Sequence, residues 1–507
     1  MSQIGKIAGK TVKVYNPKFK GNEINLILFF KKFYRLQVLR AFSDIEKYKD
    51  DLEKVIHSEI VESVIRYCIL KAIKHCSPVD TKKTFKFQDL LYTYDVAYDL
   101  KFKEIIKDDP SPEAALIVMA YEQFPSQEMI FLNLNRTFYI YQDLWGKYDN
   151  DNKINVINDI YDITGCNYKL AILLTYQILG NSKNFFFNLN SKTLDAFKNG
   201  FRGIYLHSDH KNYLKWISGK YGDYFNKEIY SILNKPVLKT NENPKSKLGK
   251  VYLLLSSYAL LNKFSEGLYY NLAEKYAIND ENLFKTIYGH VFERYVEELL
   301  KYYMESKSIK PEIKFNNSKH EQDKSCDFLV SNENTLLLVE VKQSSIFTNS
   351  KITGNEKYIA DNIKNTLIKA AKQINKTYSA IKERKIEFKK YWDVEKTYGL
   401  IICGDHLYYA NSIIKDILEK NIKVDILYDI INIDEIEILL DAQKEKETFV
   451  SIIEDKLLQK NNYDYKEYME EIFPKKINSC EFLHNKAQEI QMMIEKLVEA
   501  NSNRSRE

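Results

Sequence analysis

The chain has 507 residues, 45% hydrophobic and 29% charged, with a net charge of +5. That is ordinary for a globular protein of roughly two to four domains. No apolar run approaches the roughly 18 residues needed to cross a bilayer, and the N-terminal MSQIGKIAGKTVKVYN has no apolar signal core, so a cytoplasmic protein with no membrane partner is expected. The six cysteines (Cys68, Cys76, Cys166, Cys326, Cys403 and Cys480) are widely spaced without a C-x-x-C pair, which argues against structural zinc and a disulfide framework.

In chain order, residues 1–234 read as a mainly helical domain, with apolar residues at helical spacing over 25–42, 50–74 and 168–179. His207 and His210, in HSDH, read as a polar loop rather than a ligand pair. Residues 235–250, KPVLKTNENPKSKLGK, read as a linker. A helix is expected over 251–277, and from residue 282 helices and strands alternate. A long helix with Phe284, Ile287, Val291, Tyr295 and Leu299 on one stripe comes first. Strands are expected at 309–315, 326–330, 335–342, 398–403 and 424–428, with helices at 357–384, 412–420 and 433–443. This order implies a central mixed sheet covered on both faces over 251–445, followed by a helical C-terminal extension over 446–507. There is no internal repeat, no G-x-x-x-x-G-K-[ST] and no G-x-G-x-x-G.

The stretch CDFLVSNENTLLLVEVKQSS, Cys326 to Ser345, carries the chemistry. Its two strands join through the turn SNEN. Leu336-Leu337-Leu338-Val339 suits a strand buried on both faces, yet it runs into Glu340-Val341-Lys342. Side chains alternate along a strand, so Glu340 and Lys342 share a face, and the hairpin brings Asp327 diagonally across from Glu340. Two carboxylates a few ångströms apart repel unless a positive charge lies between them. Mg²⁺ answers that need, because it takes one or two carboxylates and keeps waters for substrate phosphates. Asp327 and Glu340 are therefore expected metal ligands, with the Val341 carbonyl as a third. Lys342 would hold the attacking water or stabilise charge on the phosphate.

The acid-x-Lys pattern recurs at Asp99, Asp209 and Glu387, in segments that read as helix or loop. It recurs again at Glu312-Ile313-Lys314, on a candidate strand with no Asp-bearing hairpin strand before it. Between Val341 and Lys396, 13 Lys and Arg stand against 6 Asp and Glu. That excess suits a polyanionic partner or a solvated helix face.

The arrangement around Asp327 resembles the PD-(D/E)xK nuclease superfamily, the restriction-endonuclease-like fold. There an Asp begins one hairpin strand, (D/E)-x-K sits on the next, and a Glu lies on the preceding helix. Asp327, Glu340-Val341-Lys342 and Glu293 match these in turn, and Gln373 in IKAAKQIN stands where the following helix often contributes a polar residue. Cys326 replaces the Pro that precedes the Asp. The likeness spans residues 282–443, near a third of the chain. It implies a divalent-metal-dependent nuclease using Mg²⁺ or Mn²⁺, with Asp327, Glu340, Lys342, Glu293 and Gln373 as the catalytic set. Nucleic acid, DNA before RNA, is the implied substrate. By analogy, the helical N-terminal domain would sense, target or bind a protein partner or second copy, as in a restriction or anti-phage system. The competing expectation is an inert nucleic-acid-binding or scaffold protein on the same fold.

Overall fold

The computed structural model describes residues 22–45, 61–105, 130–148, 153–180, 209–225, 230–240, 251–278, 281–316, 321–332, 334–343, 361–404, 411–442, 449–459, 465–472 and 480–488, with short pieces at 6–7, 10–11, 186–187, 490, 492 and 495. Most of these residues are helical. They fall into two compact units, one holding Lys285–Asn485 and the other Tyr15–Glu104 and Asn133–Phe284. None of the described helices is long and apolar enough to cross a membrane.

In the unit holding Tyr15–Glu104 and Asn133–Phe284, residues 25–42 form two helices rather than one, Glu23–Phe30 and Arg35–Ile45. Asn22 caps the first by accepting from the Asn25 N–H at 2.8 Å. Helices Glu62–His75, Phe87–Ile105 and Tyr168–Gly180 follow. The expected helical residues 50–60 lie outside the described residues. Leu26, Phe30, Leu39 and Ile69 share one core with Leu238 and Leu253.

Those last two leucines correct the expected domain boundary. Phe186–Phe187 (β1), Ser218–Gly219 (β2), Val237–Thr240 (β3) and Val251–Leu254 (β4) form a sheet in the order β1-β4-β3-β2. β3 and β4 pair antiparallel, with Val237 opposite Leu254 and Thr240 opposite Val251. Residues 235–250 therefore do not separate two domains. Their polar part, 241–250, lies outside the described residues and connects two paired strands. Residues 251–277, expected as one helix, begin as β4 and continue as helices Ser257–Phe264 and Glu266–Lys275. The first 234 residues are accordingly not a closed helical domain, because their helices share a core with β3 and β4.

The Lys285–Asn485 unit is built on strands Ile309–Pro311 (β5), Phe328–Asn332 (β8), Thr335–Lys342 (β9), Lys396–Cys403 (β10) and Tyr428–Asn432 (β11), in the order β11-β10-β9-β8-β5. Lys314–Asn316 (β6) and Gln322–Lys324 (β7) form a separate antiparallel hairpin. β5, β8 and β9 pair antiparallel, whereas β9, β10 and β11 pair parallel. The mixed sheet expected from the alternating pattern is present. β9 is central, and Leu336, Leu337, Leu338 and Val339 are fully buried, each stabilising the unit by about 1.5–3 kcal/mol.

Leu336, Leu338, Ile401 and Ile430 pack under helices Lys369–Lys382 and Asn411–Asn421, through Ala371, Ile374 and Leu418. The alternate residues Leu337, Val339, Leu400 and Ile402 are also fully buried. Helices Ile433–Ala442 and Phe449–Leu458 pack against the sheet as well.

Two further expectations are corrected here. The strand expected at 424–428 is Tyr428–Asn432, because Asp429 is carried inside it by Lys456, whose ammonium lies 2.6 Å away and is itself buried. The region 446–507 is no appendage as far as it is described: helices Phe449–Leu458, Tyr465–Ile472 and Glu481–Lys486 belong to this unit, and the Tyr295 and Phe482 rings pack 5.9 Å apart.

Candidate active site

Antiparallel pairing of β8 with β9 sets Phe328 opposite Val339. One step further along that register, Asp327 faces Glu340 directly, closer than the diagonal placement expected. Asp327 lies just before β8, and its Oδ2 accepts the Val341 N–H at 2.7 Å, extending the ladder with a side chain. N–H and C=O of one strand residue leave toward the same edge, so the Val341 carbonyl projects on the Asp327 side. Glu340 and Lys342 share a face, and the Lys342 ammonium donates to Glu340 Oε1 at 2.6 Å.

Glu340 is 5% exposed, and its other oxygen, Oε2, is buried without a hydrogen-bond partner among the described residues. Burial first, then the charge of Asp327, pushes this carboxyl up to about 8. Burial also raises Asp327. Glu293, half-buried on the long helix Leu283–Tyr303, is pushed up to about 7 by burial and then by Asp327. Burial opposes the charge on Lys342, but Glu340 and Asp327 outweigh it and hold its pKa high. Asp327, Glu340, Lys342 and Glu293 thus form one electrostatic group. Burial first, and then their mutual repulsion, holds three carboxyls in it toward their neutral forms.

Beside them opens a cavity of about 260 Å³, lined by Asp327, Glu340, Gln373, Lys376 and Glu312 among others. Gln373 lines it, but its amide nitrogen donates to the carbonyls of Lys324 and Ser325, the latter at 2.8 Å. Those bonds tie Gln373 to the residues that lead into Asp327. One turn on, the buried Thr377 hydroxyl accepts the Cys326 N–H at 2.8 Å. From the other side, Ser325 exchanges two 2.8 Å hydrogen bonds with the Ile313 backbone. The residues leading into Asp327 are thereby fixed on both sides. Burial raises the Cys326 thiol well above its ordinary range, so this residue stands before Asp327 as an inert apolar group.

Ser325, Thr377 and Gly404 were not marked by any motif. Gly404 closes β10 beside the end of β9, and its N–H donates to the Lys342 carbonyl at 2.8 Å. A Cβ there would collide with the Gln343 carbonyl and stand 3.1 Å from the Phe292 ring. A glycine ending a strand that runs parallel to β9 was the one available signal.

Of the other acid-x-Lys matches, three lie away from this cavity and one, Glu312, lines it. Asp99, Asp209 and Glu387 lie on helices, and Glu312 pairs with Lys324 at 3.0 Å on the cavity wall.

The donor set fits a hard divalent ion in one way and not in another. Among the described residues no three His, Cys, Asp or Glu side chains stand close enough to hold an ion alone. Two facing carboxylates, one with an unsatisfied buried oxygen, match an ion that keeps water and substrate oxygens in its remaining positions. Compared with known proteins, the chain matches no family model, no curated protein and no solved structure.

Proposed function

We propose that the Lys285–Asn485 unit is a divalent-metal-dependent nuclease of the PD-(D/E)xK kind, with a restriction-endonuclease-like fold, hydrolysing phosphodiester bonds of nucleic acid, DNA before RNA. The observation that carries this reading is Glu340: a carboxylate at the end of a doubly buried strand, facing Asp327, with Oε2 left unsatisfied. Such a like-charged pair is costly without a cation.

Asp327, Glu340 and the Val341 carbonyl would hold Mg²⁺ or Mn²⁺, which when bound polarises a phosphoryl oxygen and acidifies water. Lys342, fixed at 2.6 Å from Glu340, orients the attacking water and stabilises charge on the phosphate. Glu293 adds a further acidic group on the neighbouring helix. Gln373 and Thr377 keep Asp327 in register. Lys369, Lys372 and Lys382 are exposed along the helix that supplies Gln373, and they suit a path for the polyanion. Residues 351–360 of the basic segment lie outside the described residues.

A defence role remains part of this proposal by analogy with nucleases that carry a helical partner-binding region. A second reading, nucleic-acid binding without cleavage, draws on the absence of a three-carboxylate cluster among the described residues.

The full chain, tested with Mg²⁺ or Mn²⁺ on single- and double-stranded DNA and RNA, separates the two readings. Metal-dependent cutting that Asp327→Ala and Lys342→Ala each abolish, with the fold intact, supports the nuclease. Binding without cutting under every condition supports the alternative. Wild-type cutting by either variant places the chemistry elsewhere.

A further inference from the structure

The second compact unit holds a larger cavity, about 540 Å³, between helix Asp209–Ile217, the β2 and β3 strand ends and helix Ser257–Phe264. Among the described residues its charge is one-sided: Lys211, Lys215, Lys220, Lys235, Lys239 and Lys263 line it against one carboxylate, Asp223. Asp223 is already engaged, accepting the Lys220 N–H at 2.8 Å as the turn into the following helix begins.

Lys263 is 5% exposed. Among the described residues no carboxylate or carbonyl accepts from its ammonium, which instead lies 4.4 Å from the centre of the Trp216 ring. Lys235 reaches the same corner, with its ammonium donating to the Trp216 carbonyl at 2.8 Å and the Lys215 carbonyl at 3.1 Å. Burial, and then the charge of Lys235, pushes Lys263 down to about 7. Tyr252 adds a second aromatic surface, with the Lys239 ammonium 5.6 Å from its ring centre.

Burying a Lys among other cations with no counter-ion costs free energy, and an occupant bearing several negative charges removes that cost. The cavity lies within the range of small-molecule sites. It is too confined for a duplex, and two aromatic rings, each with a lysine ammonium over it, line it. We propose that this cavity is a binding site for a small phosphorylated nucleotide, with its phosphates on the lysine cluster around Lys263 and its base against Trp216 or Tyr252. The site is independent of the nuclease reading and stands whether or not the other unit cuts nucleic acid.

Calorimetric titration of the full chain in EDTA, with ATP and with inorganic triphosphate as probes, tests the site without involving the metal-dependent centre. ATP is expected to bind more tightly than triphosphate, by about 5- to 150-fold for one stacked base. Lys263→Met is expected to weaken ATP by at least tenfold without lowering the melting temperature, because it replaces a buried ammonium by an apolar chain of similar length. Lys239→Gln, at the half-buried rim, is expected to weaken ATP as well, and it keeps the test open should Lys263→Met fail to fold. Equal binding of ATP and triphosphate would overturn the nucleotide assignment. Absence of binding by both probes, or ATP affinity unchanged in Lys263→Met and Lys239→Gln, would overturn the site.

Discussion

Replacing Glu340 by Gln should make the metal-free protein more stable while removing its response to metal. In the unfolded chain a Glu carboxyl releases its proton near 4.5, whereas in the fold burial and Asp327 delay release to about 8. Between those values the folded state holds more protons, so stability falls as pH rises through that window. Each pKa unit is worth about 1.4 kcal/mol, which bounds the cost of ionised Glu340 at roughly 5 kcal/mol by pH 8. Gln keeps a carbonyl for Lys342 and carries no charge to repel Asp327. A net gain of about 2–3 kcal/mol at pH 8 is therefore expected, falling toward zero at pH 5. For a unit of this size that corresponds to a rise of about 4–12 °C in its transition. Scanning calorimetry in EDTA from pH 5 to 8.5 reads the first effect, and millimolar Mn²⁺ reads the second. Mn²⁺ should raise the wild-type transition and leave Glu340→Gln unmoved. A variant less stable than wild type at pH 8, or one that gains as much from Mn²⁺, would refute the account of Glu340 as a carboxylate awaiting a cation.

Gly404→Ala forces the end of β10 away from Gln343 and Phe292, so it should destabilise by about 1–3 kcal/mol and slow cleavage by about 100-fold through displaced Lys342, as read by urea unfolding and single-turnover kinetics. Gln373→Ala frees the carbonyls of Lys324 and Ser325 and should lower cleavage by about 10–100-fold with little change in nucleic-acid affinity, the split expected of a residue that positions Asp327. In an Asp327→Ala background, Lys369→Gln with Lys372→Gln should reduce the slope of log affinity against log salt by about 2 for duplex DNA, and an unchanged slope would move the nucleic-acid path off this helix. Lys263 reverses the sign found for Glu340. Its pKa is depressed from 10.5 to about 7, so the unfolded chain holds more protons between those values and stability should rise with pH there. The other charged groups facing it are Lys235, Lys211, Lys215, Lys220, Lys239 and Asp223. Urea unfolding of Lys263→Met from pH 6.5 to 10 should show that rise flattened.

What could be read in the sequence depended on how local its physical cause was. The hairpin was legible because a continuous apolar run and a short polar turn act over neighbouring residues, and the register sets Asn332 opposite Thr335 across that turn. The boundary at 235–250 misled for the opposite reason. A polar stretch has the same composition whether it connects two domains or two strands of one sheet, and only the partners of Val237 and Leu254 decide which. Asp429 shows the same limit inside a strand, since its burial depends on Lys456, which arrives from a later helix.

The candidate site divides along that line. Glu340 announced itself because an acid that ends a doubly buried strand violates the local pattern, and the violation needs a compensating group wherever the rest of the chain lies. Thr377, Ser325 and Gly404 violate nothing locally: a Thr or Ser is unremarked on a helix or in a loop, and a Gly after a strand is common. Their importance arises only when distant segments meet, Thr377 reaching Cys326 across 51 positions and Gly404 meeting Lys342 at the shared edge of two parallel strands. Lys263 belongs with them. In the sequence it is one lysine among many on a helical pattern, and it becomes an anomaly only once the fold buries it beside Lys235 with no acid paired to it among the described residues. Local violations thus point to the chemistry that a motif can name, whereas buried charges left without partners after folding point to ligands that no motif records.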